Sequence, residues 1–199
     1  SMDVEIPDIP YVDFENDIQE AKLGDGIKMY RVDNPLNDIF SLEIVFGAGE
    51  QILPLIAHAS RAMEFAGTDS LDAGTFKRRM NLLGCNYSIW SDQSYTHVKI
   101  EGMEENLPPA LALVSKLVNK PSIPENVIDK LVEEAKAGRK VETSEPDNVA
   151  HALHKYIQHG KKSPYLDRLR LKDIKKLEPS ALAEKFQEAL GYAAEIHYA

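Results

Sequence analysis

The stretch NYSIWSDQSYTHVKIEG (residues 86–102) sets the fold class. Two strand-forming runs, 86–90 and 94–102, flank a short polar turn, and Thr96, Val98 and Ile100 share one face of the second. That alternation predicts an antiparallel hairpin in mid-chain. Immediately upstream, Phe76, Met80 and Leu83 space a helix stopped by Gly84, and residues 53–66 read as another. Before them, 26–34 and 40–49 read as two strands paired through the turn-rich NPLND. Downstream, Leu107, Ala110, Leu111, Val114, Leu117 and Val118 form a helical stripe that Pro121 and Pro124 end. Further helices follow, one on Val127, Ile128, Leu131 and Ala135 and one on Val149, Leu153, Tyr156 and Ile157 up to Gly160. The last begins near Pro179 and carries Leu182, Phe186 and Leu190 inward. Residues 192–199 close as a strand.

Strand pairs interrupted by helix pairs do not make an all-parallel ladder. The order predicts an α+β fold, a largely antiparallel sheet with helices packed on it. The 199 residues suffice for one core, assigned to a single domain over 25–199. Residues 1–24 read as linker, because EIPDIPYVDF is proline-spaced and extended; Ser1 and Met2 read as a cloning remnant.

Composition narrows the function. A formal net charge of −9 argues against nucleic acid or an anionic membrane surface as the main partner. No apolar run approaches the ~20 residues of a membrane span, so membrane insertion is not expected. The single cysteine, Cys85, excludes an internal disulfide and any site built on several thiolates; it reads as a small buried hydrophobe. Neither a nucleophile elbow nor a phosphate loop is present. His151 and His154 fall opposite the stripe of their helix and read as a solvated face. His159, Lys161 and Lys162 sit where positive charge complements a helix C-terminus.

LPLIAHASRAMEFAGTD (53–69) carries the remaining chemistry. With Phe65-x-Gly67-Thr68, Leu83-Gly84 and EGMEENLPPALALVSKLVNKPSIPE in this order, the chain resembles a domain of the insulinase/pitrilysin-type zinc metallopeptidases, the inverted zincins. The resemblance covers roughly 25–199 and implies the processing-peptidase-like metallohydrolase fold. In that family such domains occur in pairs, one catalytic and one not, around a chamber that holds peptide. The catalytic version carries His-x-x-Glu-His before Phe-x-Gly-Thr; its i and i+4 histidines bind zinc and the intervening carboxylate activates water.

Counting back from Gly67-Thr68, the matching positions are His58, Arg61 and Ala62. One ligand type survives, the base is an arginine and the second ligand an alanine. Glu64 lies six residues from His58, about 240° around the helix, and does not share its face. The family's distal glutamate ligand would fall near 136–139, where the chain reads KAGR, with Glu133 and Glu134 about a turn early. His58 therefore reads as a hydrogen-bonded structural residue on a degenerate zinc helix, with no catalytic residue and no metal site in this domain.

The resemblance implies a non-catalytic domain that stabilises its parent and walls the peptide chamber. Zinc is expected in the catalytic half, and the implied partners are that half, on the same chain or as a paired subunit, and the peptide substrate. Tyr87, Trp90 and Tyr95 are the expected peptide or interface contacts. A stand-alone structural or interaction subunit without a peptidase partner is the alternative.

Overall fold

The computed structural model describes residues 13, 16–24 and 26–199. Its elements are β1 (Gln19–Leu23), β2 (Ile27–Arg31), β3 (Ile39–Phe46), α1 (Ile56–Met63), β4 (Gly67–Thr68), α2 (Ala73–Leu82), β5 (Asn86–Ser91) and β6 (Thr96–Met103). There follow α3 (Leu107–Asn119), β7 (Pro121–Ser122), α4 (Val127–Ser144), α5 (Pro146–His159), α6 (Pro164–Asp167), α7 (Leu171–Ile174), α8 (Pro179–Ala189) and β8 (Ala194–Tyr198).

Local chemistry explains most boundaries. Asp72 caps α2 by accepting the Thr75 backbone N–H at 2.9 Å. Gly84 ends it in the left-handed region at φ 61°. Prolines occupy the first turns of α3, α5 and α8, where a missing N–H costs nothing. Gly67 is required sterically, since a Cβ there would collide with the Leu71 carbonyl oxygen. That same carbonyl accepts the Thr68 N–H at 2.8 Å, while Thr68 Oγ1 accepts the Leu71 N–H at 3.1 Å. The Gly-Thr pair is thus a closed turn that leads the chain out of α1.

The main sheet runs β1-β2-β8-β3-β6-β5, antiparallel except where β2 and β8 lie parallel. The predicted α+β class and the hairpin over 86–102 are present, with Ile89 opposite Val98. Strands β2 and β3 are not a pair, contrary to the reading of 26–49 as one hairpin. β8 inserts between them, Ile196 pairing with both Met29 and Ile44. Residues 19–23, read as linker, form the edge strand β1, with Ala21 opposite Met29. The proline-spaced part of that linker, with Ser1 and Met2, lies outside the described residues.

The helices cover one face of the sheet. Phe40, Leu42, Ile89, Val98 and Ile100 point into them and are buried, together with Ile56, Met63, Phe76, Leu117, Leu182 and Phe186 from the helices. α1 lies against α8 and β5. It is also tied to the hairpin by a hydroxyl chain. Ser60 and Ser91 approach to 2.6 Å, Ser91 and Thr96 to 2.9 Å, and Thr96 donates to the Ala48 carbonyl at 2.6 Å. Ser60 and Thr96 are fully buried, so the chain satisfies polar groups that would otherwise be costly to desolvate.

The stripe of α5 behaves differently from its sequence reading. Val149, Leu153, Tyr156 and Ile157, whose spacing predicts the buried face, are 49%, 58%, 49% and 73% exposed. α5 packs beside α4, its residues Asn148, Ala152 and Lys155 are half-buried, and no residue of α5 is fully buried.

Candidate functional site

α1 begins just after Leu55, which is left-handed at φ 76°, the one non-glycine residue so placed among the described residues. The helix then presents its 3.6-residue period. Ile56, Ala59, Ala62 and Met63 are buried, His58 is half-buried and Arg61 is exposed. Position 62 therefore faces the core, and position 61 faces α4.

There Arg61 meets Glu134 in a bidentate pair, Nε to Oε2 at 2.8 Å and Nη2 to Oε1 at 2.6 Å. The guanidinium hydrogen bonds hold the Glu134 carboxyl below the usual carboxylate range, with Lys130 adding to the effect. Arg61 and Lys130 also stand over the Phe65 ring, at 5.2 and 4.8 Å from its centre. By sequence spacing Glu134 falls a turn too early to matter. In the fold it is the residue of α4 that reaches Arg61 on α1. Glu133 is exposed.

This donor set does not fit a zinc ion. Both Glu134 oxygens are engaged by Arg61, Ala62 offers no donor, and the charge of Arg139 bears on His58. Among the described residues no group of three or more His, Cys, Asp or Glu side chains is placed to hold a metal. Glu64 points elsewhere, as the helical period requires, and accepts the Ile89 backbone N–H at 3.0 Å.

The His58 side chain makes no hydrogen bond to another described residue and is half-buried on α1. Burial pushes its pKa down, and the nearby Arg139 charge pushes the same way. The folded state thus favours the neutral ring, while the unfolded chain takes a proton near the ordinary value of 6.5. Stability should fall as pH drops below that value. In His58→Gln the slope of unfolding free energy between about pH 7 and pH 5 should be shallower than in the parent protein. Urea titrations at several pH values measure it, and parallel slopes would refute the assignment.

The three aromatic residues of the hairpin divide between two faces. Tyr87 and Trp90 are three apart on a strand of period two, so they point oppositely. Tyr87 turns inward, edge-on to Phe76 at 5.2 Å between ring centres. Its hydroxyl is buried without a hydrogen-bond partner among the described residues, and burial, with the charge of Glu64, pushes its pKa well up. Tyr87 is therefore half-buried against Phe76, away from the face that carries Trp90.

Trp90 and Tyr95 are exposed, and between them lies a residue that the sequence pattern does not single out. His97 stacks flat on Trp90 at 4.6 Å, with Tyr95 edge-on at 6.2 Å. The ring is held at both nitrogens, Nδ1 to Glu43 at 2.8 Å and Nε2 to Asp92 at 3.4 Å. Beside it an open concavity of about 690 Å³ is lined by Lys28, Glu43, Tyr95, His97, Glu195 and His197. The available signal was the alternation that put Thr96, Val98 and Ile100 inward, since it put His97 and Lys99 outward.

His151 is exposed and lies edge-on to Tyr165 at 6.3 Å, and His154 is exposed. Cys85 is buried, and its thiol pKa is pushed up by desolvation.

A mostly antiparallel sheet backed by helices, with α1 leading into the Gly67-Thr68 turn, makes this an α+β domain. The profile of the insulinase family, peptidase family M16, matches residues 53–164, more than half of the chain, and the protein belongs to that family. A search of curated proteins finds no match for the sequence.

Among solved structures, the inactive domain of a peptidase M16 from Pseudomonas fluorescens superposes with a TM-score of 0.74 at 21% identity, over 91% of this chain and 46% of that one. A mutant of the ferredoxin protease FusC in complex with Arabidopsis ferredoxin gives 0.75 at 15%, over 97% and 23%. The periplasmic protease PqqL from Escherichia coli gives 0.75 at 14%, over 92% and 21%. The chain thus spans less than half the length of each. These likenesses concern the fold.

Proposed function

We propose that this chain is a non-catalytic domain of a zinc-dependent peptidase, stabilising its parent and walling the chamber in which peptide is held. The observation that carries the reading is the Arg61–Glu134 pair. Where the catalytic chemistry of this family needs a carboxylate beside a metal, a guanidinium occupies both oxygens of the carboxylate that approaches. Zinc belongs, on this reading, to the catalytic half of the parent. Trp90 and Tyr95 are the contacts offered to that half or to peptide, because they are large, amphipathic and exposed at 38% and 48%. Tyr87 supports Phe76 instead.

The protein should show no peptide-bond hydrolysis on unfolded or short peptides, with or without added zinc. Zinc-dependent turnover that co-purifies with the chain and disappears in His58→Ala would overturn the reading. Addition of a catalytic M16 half should give binding that weakens in Trp90→Ala and Tyr95→Ala. Binding indifferent to both substitutions would place the contact on another surface.

A further inference from the structure

Trp90 is the chain's single tryptophan, and the ring that holds it is ionisable. Trp90 and His97 stand directly opposite each other across β5 and β6. Their rings lie parallel to within 1° at 4.6 Å, and Tyr95 is edge-on to the imidazole. The His97 side chain is only 14% exposed, so its nitrogens are met by protein groups more than by bulk water. Both groups are carboxylates. Glu43 of β3 lies 2.8 Å from Nδ1, and Asp92 of the turn after β5 lies 3.4 Å from Nε2.

This arrangement depends on the charge of the ring. A carboxylate only accepts, and a neutral imidazole carries one N–H, so it donates to one carboxylate and turns a lone pair toward the other. The imidazolium donates to both, through charge-assisted hydrogen bonds. The neighbouring charges are engaged elsewhere. Lys99, on the same face of β6, pairs with Glu101 at 2.7 Å. Across the concavity Lys28 approaches Glu20 at 4.0 Å and His197 approaches Glu195 at 3.8 Å. Asp92 also accepts the Ser94 and Tyr95 backbone N–H groups, but through Oδ1, which leaves Oδ2 to His97.

We propose that His97 is a charge-dependent latch on Trp90. As imidazolium it is fixed at both ends, by Glu43 and Asp92, and covers one face of the indole. On losing the Nε2 proton to water it swings away from Asp92 and uncovers that face. Histidine changes charge between about pH 5 and 8, so the latch closes toward the acid side of that range and opens toward the basic side. Closure pre-organises the exposed aromatic pair, Trp90 and Tyr95, for contact with another surface. The latch concerns how Trp90 is held and not what it touches, so its failure would leave the peptidase reading standing.

Acrylamide quenching of the Trp90 emission at about pH 5 and pH 8 tests the proposal, with far-ultraviolet circular dichroism to show that the fold is kept at both. A covered indole presents one face to the quencher and a free one two, so the quenching constant should rise by up to about twofold from the lower pH to the higher. His97→Gln should remove this pH dependence, and His197→Gln should retain it. Asp92→Asn is the sharper variant. Its Oδ1 still holds the turn, while an amide NH2 group replaces Oδ2 and donates to the lone pair of the neutral ring. That variant should keep Trp90 covered at the higher pH, with quenching there no greater than at the lower. Equal quenching of the parent protein at the two pH values overturns the proposal. So does a pH dependence that survives His97→Gln, or one that Asp92→Asn leaves unchanged.

Discussion

Phe186→Ala should remove about 3–5 kcal/mol of folding free energy, the usual cost of deleting a fully buried aromatic side chain. Phe186 is completely buried on α8, with Leu182 and Ala189 on the same face. That face supports α1, whose residues Ile56, Ala59, Ala62 and Met63 are themselves fully buried. Side chains already fixed by close packing on several sides have little freedom to collapse into a vacated space. The cavity would therefore persist. A domain of ordinary stability, about 5–15 kcal/mol, would lose a large share of it. Urea unfolding should show a lower midpoint at unchanged slope. A loss under about 1 kcal/mol would mean that α8 is not the support of the α1 helix.

The second large effect concerns positions 61 and 62 on α1. Arg61→Glu with Ala62→His rewrites His-A-S-R-A as the family's His-x-x-Glu-His, yet the product should be less stable by about 1–4 kcal/mol in the presence of a chelator. Ala62 is fully buried, and inserting an imidazole there overfills a packed contact at about 1–3 kcal/mol. The new Glu at 61 would replace an ion pair with two facing carboxylates, a further cost of up to about 1 kcal/mol at a half-exposed site. Zinc should bind more weakly than micromolar, because the histidine at 62 starts within the core and the Arg139 charge already opposes positive charge at His58. Thermal melts with chelator and with zinc, followed by calorimetric titration, measure both effects. Submicromolar zinc binding would show that Glu134 turns from position 61 to serve as a third ligand.

That positions 61 and 62 carry no metal ligand and no general base is legible in the chain because it rests on residue identity. An alanine offers no ligand atom and an arginine no general base in any fold. What Arg61 meets in the fold is not legible there. Arg61 and Glu134 are 73 positions apart, on helices whose relative rotation sets whether they meet. A shift of register by a few residues on α4 is enough to set Glu134 aside. His97 escapes a sequence reading for a related reason: alternation marks the inward face of β6 and leaves the outward one unread, although Glu43 and Trp90 converge there from two other strands.

Local pattern determined the class and most of the longer elements. Period two over 86–102, period 3.6 over α1, α3 and α8, the Asp72 and Gly84 caps and the Gly67-Thr68 turn all act between residues close in sequence, where chain geometry leaves few choices. Only the tertiary structure decided which elements meet. β8 separates β2 from β3 because strand pairing depends on backbone groups that every residue carries, and a residue such as Ile196 gives no sign that it will lie between Met29 and Ile44. The ridge of α5 shows the same limit. Periodicity identified Val149, Leu153, Tyr156 and Ile157 as one face, but an apolar face states that it is to be covered and not by what. In this chain α5 packs beside α4 with the ridge exposed.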